Sequence, residues 1–151
     1  MDDACLTGSA ELIVTGRLHG TVVIDGVTLA SPDELASLLL RFDPDGSLIH
    51  GLVFPAESDG CPLGCTVAPD DSVVVGAVCV GTVDFGAGPQ GEPAASTGQL
   101  AALSADGTLR YSRTLGGPGL DRLVLATSPT GALVKGRRAA RRPGSSCRQA
   151  G

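Results

Sequence analysis

Cys61 and Cys65, separated by three residues, are the side chains of this chain whose types and spacing come closest to metal chemistry, with His50 and Cys79 as the available additions. Zinc needs four thiolate or imidazole ligands, and a single C-x-x-x-C supplies two with no second pair at a matching spacing. Asp43, Asp45, Asp70, Asp71 and Asp106 offer hard oxygens. Calcium takes six to eight oxygens, each stretch supplies one or two carboxylates, and the spacing of a helix-loop-helix calcium loop is absent. Gly86-Ala87-Gly88-Pro89-Gln90-Gly91 fits G-x-G-x-x-G. That motif holds a dinucleotide only where it opens a helix whose N-terminus meets the pyrophosphate, and "EPAASTG" follows here, so a loop is expected instead. His19 and His50 stand far apart, no G-x-S-x-G nucleophile elbow occurs, and the serines gather at bends. These residues therefore predict no catalytic, cofactor-binding or metal-binding site, and no cofactor.

The aspartates have a better use. Asp43-Pro44-Asp45-Gly46 suits a type I turn, with Asp first, Pro fixing φ in second place and Gly free to take a positive φ in fourth. Such a turn closes a hairpin with a glycine bulge. Ser104-Ala105-Asp106-Gly107 and Ser128-Pro129-Thr130-Gly131 repeat the chemistry, Ala68-Pro69-Asp70-Asp71 puts Asp in the fourth place, and Thr7-Gly8-Ser9-Ala10 is a weaker copy. The bends begin at 7, 43, 68, 104 and 128, so the intervals alternate between 36 and about 25 residues. Two hairpins make one unit. A shift of 61 residues lays "GTVVID" (20–25) on "GTVDFG" (81–86), and "DPDGSL" (43–48) on "SADGTL" (104–109). An internal repeat of this kind is the sequence signature of a repeat architecture.

Composition points the same way. A chain of 151 residues, 42% hydrophobic and 18% charged, has enough apolar material for one folded core. Twenty-two glycines and ten prolines among Val, Thr and Leu runs favour strands joined by tight turns, so the expected class is all-β. The expected strands lie near 37–42, 47–54, 64–68, 72–80, 98–103, 108–115, 122–127 and 132–136. "SLLLRF" and "SVVVGAVCV" are nearly continuous apolar runs, which implies cover on both faces of the sheet. Four-stranded units stacked face to face around an axis are propeller blades. One segment competes: "SPDELASLLLRF" carries a helix N-cap, Pro at the first helical position and a capping box. Its counterpart "EPAASTGQLAAL" puts Thr97 and Gly98 inside the segment. A helical turn near 32–36 leading into a strand is therefore expected, with a small α/β domain around a helix at 32–42 as the rival.

Residues 1–134 hold all sixteen acids and five arginines, a balance of -11, whereas 135–151 hold six basic residues and no acid. The acidic body repels nucleic acid. A basic, disordered tail is expected over 137–151. No apolar run reaches membrane-spanning length, and "MDDACLTGSAELIVTG" has neither the basic nor the apolar region of a signal peptide. Five cysteines are an odd number. With a hairpin turning at Asp70 and Asp71, positions summing to about 141 face each other, which makes Cys61 and Cys79 a candidate disulfide in an oxidising compartment.

"GTVDFGAGPQ", "LAALSADGTLRYSRTLGGPGLD" and "APDDSVVVGAV" together resemble the propeller-type, SBBP-like repeats of bacterial envelope and secreted proteins, over roughly residues 9–136. His50 and Tyr111 stand where that family often has Trp, and "PAESDGCPLGC" replaces its glycine pair in the first copy. The resemblance implies an incomplete propeller of tandem antiparallel blades. Unit one would span about 20–80 and unit two about 81–136, with a partial unit before them. It also implies an exported, non-catalytic scaffold or binding module for an unidentified protein or carbohydrate partner, in a parent protein of the extracellular space or cell envelope. Two units cannot close a ring, so further blades in a longer parent, or self-association through exposed blade faces, are expected to cover the apolar surfaces. The alternative is a fragment of a propeller-fold hydrolase or lyase whose site is completed by missing blades.

Overall fold

The computed structural model describes residues 1–57, 61–116, 120–128 and 131–138, and among them the secondary structure is entirely β, without a helix. β1 (Asp3–Leu6), β2 (Leu12–Ile24), β3 (Val27–Phe42) and β4 (Leu48–Phe54) form one antiparallel sheet in sequential order. β5 (Gly64–Val67), β6 (Val73–Asp84), β7 (Pro89–Leu103) and β8 (Leu109–Leu115) form a second in the same order. β9 (Leu120–Ser128) and β10 (Gly131–Arg138) make a separate antiparallel pair. Neither four-stranded sheet is closed. Corresponding strands of the two begin 61 residues apart in three cases, at 3 and 64, 12 and 73, and 48 and 109, and 62 apart at 27 and 89.

Four turns share one backbone pattern, and turn chemistry explains it. The amides of Ala10, Gly46, Asp71 and Gly107 donate to the carbonyls of Thr7, Asp43, Ala68 and Ser104, and those first residues in turn donate their amides to the carbonyls of Glu11, Ser47, Ser72 and Thr108. The fourth residue always has a positive φ: 64° at Ala10, 91° at Gly46, 58° at Asp71 and 85° at Gly107. A type I turn followed by a left-handed residue returns the chain on itself with the right twist for a hairpin. Pro129, expected in a fifth such turn, lies outside the described residues, while Gly131 opens β10.

Three expectations are corrected. The sheets are cut at 3–54 and 64–115: the expected strand near 64–68 pairs with the one near 72–80, which pairs in turn with 89–103, and neither pairs with 37–54. A repeat length fixes the period but not the point at which one sheet ends, and the ladder decides that point: β5 pairs with β6, and β6 runs on into a long hairpin with β7. Secondly, no helical turn forms near 32–36; β3 is extended throughout. Its register with β2 jumps from Gly20–Ser31 to Leu18–Ala36, and the second hairpin breaks alike between Val80–Ser96 and Gly81–Glu92. Pro32 and Pro93 fall in these breaks. A residue without an N–H loses least where the ladder is interrupted, so the proline that would have started a helix marks a bulge. Thirdly, residues 137 and 138, expected in the tail, continue the β10 ladder opposite Arg122 and Leu120. The remainder of the expected tail, 139–151, lies outside the described residues.

The second sheet is covered on both faces, which accounts for its unbroken apolar run. Val73, Val75, Ala77, Cys79, Ala101 and Leu103 pack with Ile13, Leu39 and Phe54 of the first sheet in the main core, closed by an edge-to-face contact of Phe54 with Phe85, centroids 5.2 Å apart. Val74, Leu100 and Ala102, on the opposite face, meet Leu125 of β9. Burying each large apolar side chain contributes about 2 kcal/mol. The far face of the first sheet carries a third cluster, Leu18, Leu29 and Leu40 with half-buried Val14, Leu38 and Phe42 around them. At the turn ends a buried cation bridges the two sheets. Arg41, 4% exposed, pairs with Glu11 through Nε and the Nη2 group, while its Nη1 donates to the carbonyls of Ala105 at 2.8 Å and Asp71 at 3.5 Å.

Removing one member of a buried ion pair strands the other and the carbonyls it satisfied. Arg41→Ala is therefore expected to lower the free energy of unfolding by about 3 kcal/mol in a urea titration followed by circular dichroism. A loss well below 1 kcal/mol would show that the Arg41 bridge does not hold the sheets together.

Candidate functional site

The first strands of the layers, β1, β5 and β9, lie side by side: β1 packs on β5, and β5 on β9. What brings them together differs between the two junctions, and a cleft lies between them. Against the first sheet the approaching chain is stitched by polar side chains. The Cys61 amide donates to Ser37 Oγ at 3.1 Å, that hydroxyl donates back to the Cys61 carbonyl at 2.8 Å, Thr15 Oγ1 donates to the Leu63 carbonyl at 2.6 Å, and the Cys65 amide donates to Asp3 Oδ2 at 3.0 Å. Counted 61 residues on, Asp3, Thr15 and Ser37 become Gly64, Gly76 and Gly98. There the approaching chain packs leucines onto bare backbone instead. A Cβ on Gly76 would stand 2.6 Å from Leu123 Cδ2, and one on Gly98 2.6 Å from Leu120 Cδ2. Both devices achieve the same close approach, one by hydrogen bonds and one by shape.

The cleft left between these junctions encloses about 430 Å³ and is lined by Asp3, Pro62, Gly64, Cys65, Gly76 and Leu123, among others. Its walls are apolar side chains and backbone, with Asp3 as its carboxylate. Asp3 is committed: Oδ1 accepts from the Ala4 amide at 2.9 Å and Oδ2 from Cys65. The cleft offers shape and backbone groups, a surface that can hold an apolar or extended group by contact.

The aspartates singled out from the sequence are spent on turns. Asp43 Oδ1 accepts from the amides of Asp45 and Ser47, and Asp45 Oδ1 from the amide and hydroxyl of Ser47. Asp70 Oδ1 caps Ser72, Asp106 Oδ1 caps the Thr108 amide, and Asp71 Oδ1 reaches across to the Gly8 amide of the first sheet at 3.0 Å. Pro44 and Pro69 occupy the second turn positions. Hydrogen bonds to the charged form favour it. The Ser72 hydroxyl and then Arg110 hold the Asp70 carboxyl down at about 2, the Ser47 hydroxyl lowers Asp45, and the Thr108 amide lowers Asp106. Asp84 Oδ1 accepts from the amides of Gly86 at 2.7 Å and Gly88 at 3.0 Å, so the glycine-rich motif wraps a carboxylate of its own chain. β7 begins within the motif at Pro89 and runs through "EPAASTG", so a strand stands where a loop was expected, and no helix opens there.

Cys61 and Cys79 are joined in a disulfide with their Cα atoms 5.3 Å apart. The hairpin pairs Gly64 with Gly76, so opposed positions sum to 140, one less than the turn alone suggested, and the same register continued sets Cys61 opposite Cys79. The bond takes both sulfurs out of any metal set with Cys65 and His50. Among the described residues no three His, Cys, Asp or Glu side chains converge on a point. His50 lies instead beside Gly107 of the second sheet's turn, its pKa lowered by burial and then by Arg41.

Sequence reasoning missed the Arg41–Glu11 bridge, the contact between Cys5 and Cys65, and the exchange of polar stitches for glycines. The last was visible: aligning the chain on itself at 61 residues sets Asp3, Thr15 and Ser37 on three glycines. Compared with family models, with curated proteins and with solved structures, the chain matches none.

Because the disulfide closes an 18-residue separation inside the core, its loss is expected to cost about 3 kcal/mol. Cys61→Ser should show this as a lowered midpoint in guanidinium relative to the oxidised chain, and reduction of the unsubstituted protein should reproduce it. Equal midpoints for oxidised and reduced protein would contradict the assignment.

Proposed function

We propose that the chain is a non-catalytic stacking scaffold, a run of four-stranded blades of the propeller-repeat kind in an exported bacterial protein, which presents its loops and inner edges to a protein or carbohydrate partner. One observation carries this reading: residues 61 apart face the same way along the stack. Ile13 and Leu39 point from the first sheet to the second, and their counterparts Val74 and Leu100 point from the second sheet to β9. Val75 and Ala101 face the first sheet, and their counterparts Val14 and Leu40 lie on its outer face. The outer face thus has the pattern that elsewhere in the molecule receives a sheet. Head-to-tail stacking of like units is what builds a ring or a solenoid. The order of the "GTVDFG", "SADGTL" and "GGPGLD" motifs supports the same reading by resemblance. The Cys61–Cys79 bond supports an oxidising compartment. Commitment of the turn aspartates to backbone amides supports a scaffold over an enzyme, since general acid and base work needs carboxyls free to exchange protons.

The occupant of the outer face is a sheet of the same kind, and in purified protein that means a second copy. Sedimentation velocity of the full chain is expected to show association that grows with concentration. Val14→Arg, which places a cation at a half-buried position of the outer face, should sediment as a monomer with an unchanged circular dichroism spectrum. Monomeric behaviour of the unsubstituted chain up to its solubility limit would count against the stacking role.

A further inference from the structure

Cys5 on β1 and Cys65 on β5 belong to different sheets and take no part in the Cys61–Cys79 bond. Their thiols nevertheless stand close enough to interact, and Cys5 packs against the core cluster that holds Cys65. The alignment is fixed by backbone: β1 packs on β5, and the Cys65 amide is anchored to Asp3 Oδ2, two residues before Cys5. Cys65 is buried and belongs to the main core, whereas Cys5 packs at its margin and is partly open to solvent. A contacting pair of thiols, one reachable from outside, has the arrangement of an attacking and a resolving cysteine.

We propose that Cys5 and Cys65 form an oxidisable dithiol site whose co-substrate is a low-molecular-weight disulfide, and that its closure creates a second disulfide tying the first sheet to the second. The neighbouring Cys65 thiol favours the Cys5 thiolate, while the Cys5 sulfur and then burial hold the proton on Cys65. Cys5 therefore attacks first. Its sulfur bonds to one sulfur of the small disulfide R–S–S–R and expels the other as a thiolate, leaving a mixed disulfide on Cys5. Cys65 then gives up its proton, and its sulfur attacks Cys5 Sγ and expels the second thiolate. Two protein thiols are oxidised by two electrons, and R–S–S–R is reduced to two molecules of thiol. Unlike Cys61–Cys79, which staples neighbouring segments of one sheet, this bond spans sixty residues and crosses the main interface. It therefore restrains the unfolded chain more strongly.

The test uses the full chain carrying Cys147→Ser, treated with oxidised glutathione, then denatured, alkylated, digested with trypsin and an aspartate-directed protease, and sequenced by fragmentation without reduction. Before treatment Cys5 and Cys65 should both be alkylated. Afterwards both should be found in a single Cys5–Cys65 linked peptide, and the unfolding midpoint should rise by about 10 °C. A link already present on isolation, opened by mild reductant and restored by oxidised glutathione, supports the site equally. Cys65→Ser should stop at the first step, with glutathione retained on Cys5. The proposal is overturned if, in protein with a native circular dichroism spectrum, either thiol remains alkylatable, each carries its own glutathione, or Cys5 is found bonded to Cys61 or Cys79.

Discussion

The face-to-face contact between the two four-stranded sheets is the constraint on which the rest depends. An antiparallel sheet with one apolar face needs one cover, but the second sheet has apolar residues on both faces, Val73 and Val75 on one and Val74 and Leu100 on the other. Such a sheet cannot stand in water alone. The first sheet and the β9–β10 pair supply its two covers. Everything polar at the junctions is arranged to let the layers approach: Ser37, Thr15 and Asp3 bond to the backbone of 61–65, and Arg41 satisfies turn carbonyls of the opposite sheet. No buried side-chain nitrogen or oxygen among the described residues lacks a hydrogen-bond partner.

The layers do not touch equally along their width. β1 and β5 are in extensive contact, while the fourth strands β4 and β8 are not. The four described cysteines lie at the first strands: Cys61–Cys79 fastens the chain entering β5 to β6, and Cys5 approaches Cys65 where β1 packs on β5. The turn carboxylates lie at the strand ends, where their hydrogen bonds set the geometry of the hairpins.

The all-β class and the places of the bends were legible because turns are local. Asp43-Pro44-Asp45-Gly46 carries its φ requirements in four consecutive residues, and the same pattern recurs at Thr7, Ala68 and Ser104, whereas the two long hairpins close differently, at Asp25-Gly26 and over 85–88. The extension of β3 through 32–36 was not legible. Ser31, Pro32 and Glu34 satisfy the local rules for a helix start, and only the pairing of the flanking residues 27–31 and 36–42 with β2 overrides them. The limits of each sheet were hidden for a related reason: a period of 61 can be cut at any residue, and hydrogen bonds alone choose the cut. Arg41 looked like a strand arginine among leucines, and nothing in its neighbours announces that its partners are Glu11 and the turns of another sheet.

Native-state hydrogen exchange on the full chain, comparing the unsubstituted protein with Val75→Ala, tests the central claim most directly. Val75 is fully buried at the junction and belongs to the second sheet. If the sheets stand only against each other, its truncation lowers the opening free energy of the slowest amides in β2–β3 and in β6–β7 alike, by about 2 kcal/mol. A loss confined to β6–β7, with β2–β3 protected as before, would mean that each sheet is stable by itself, and would contradict the account.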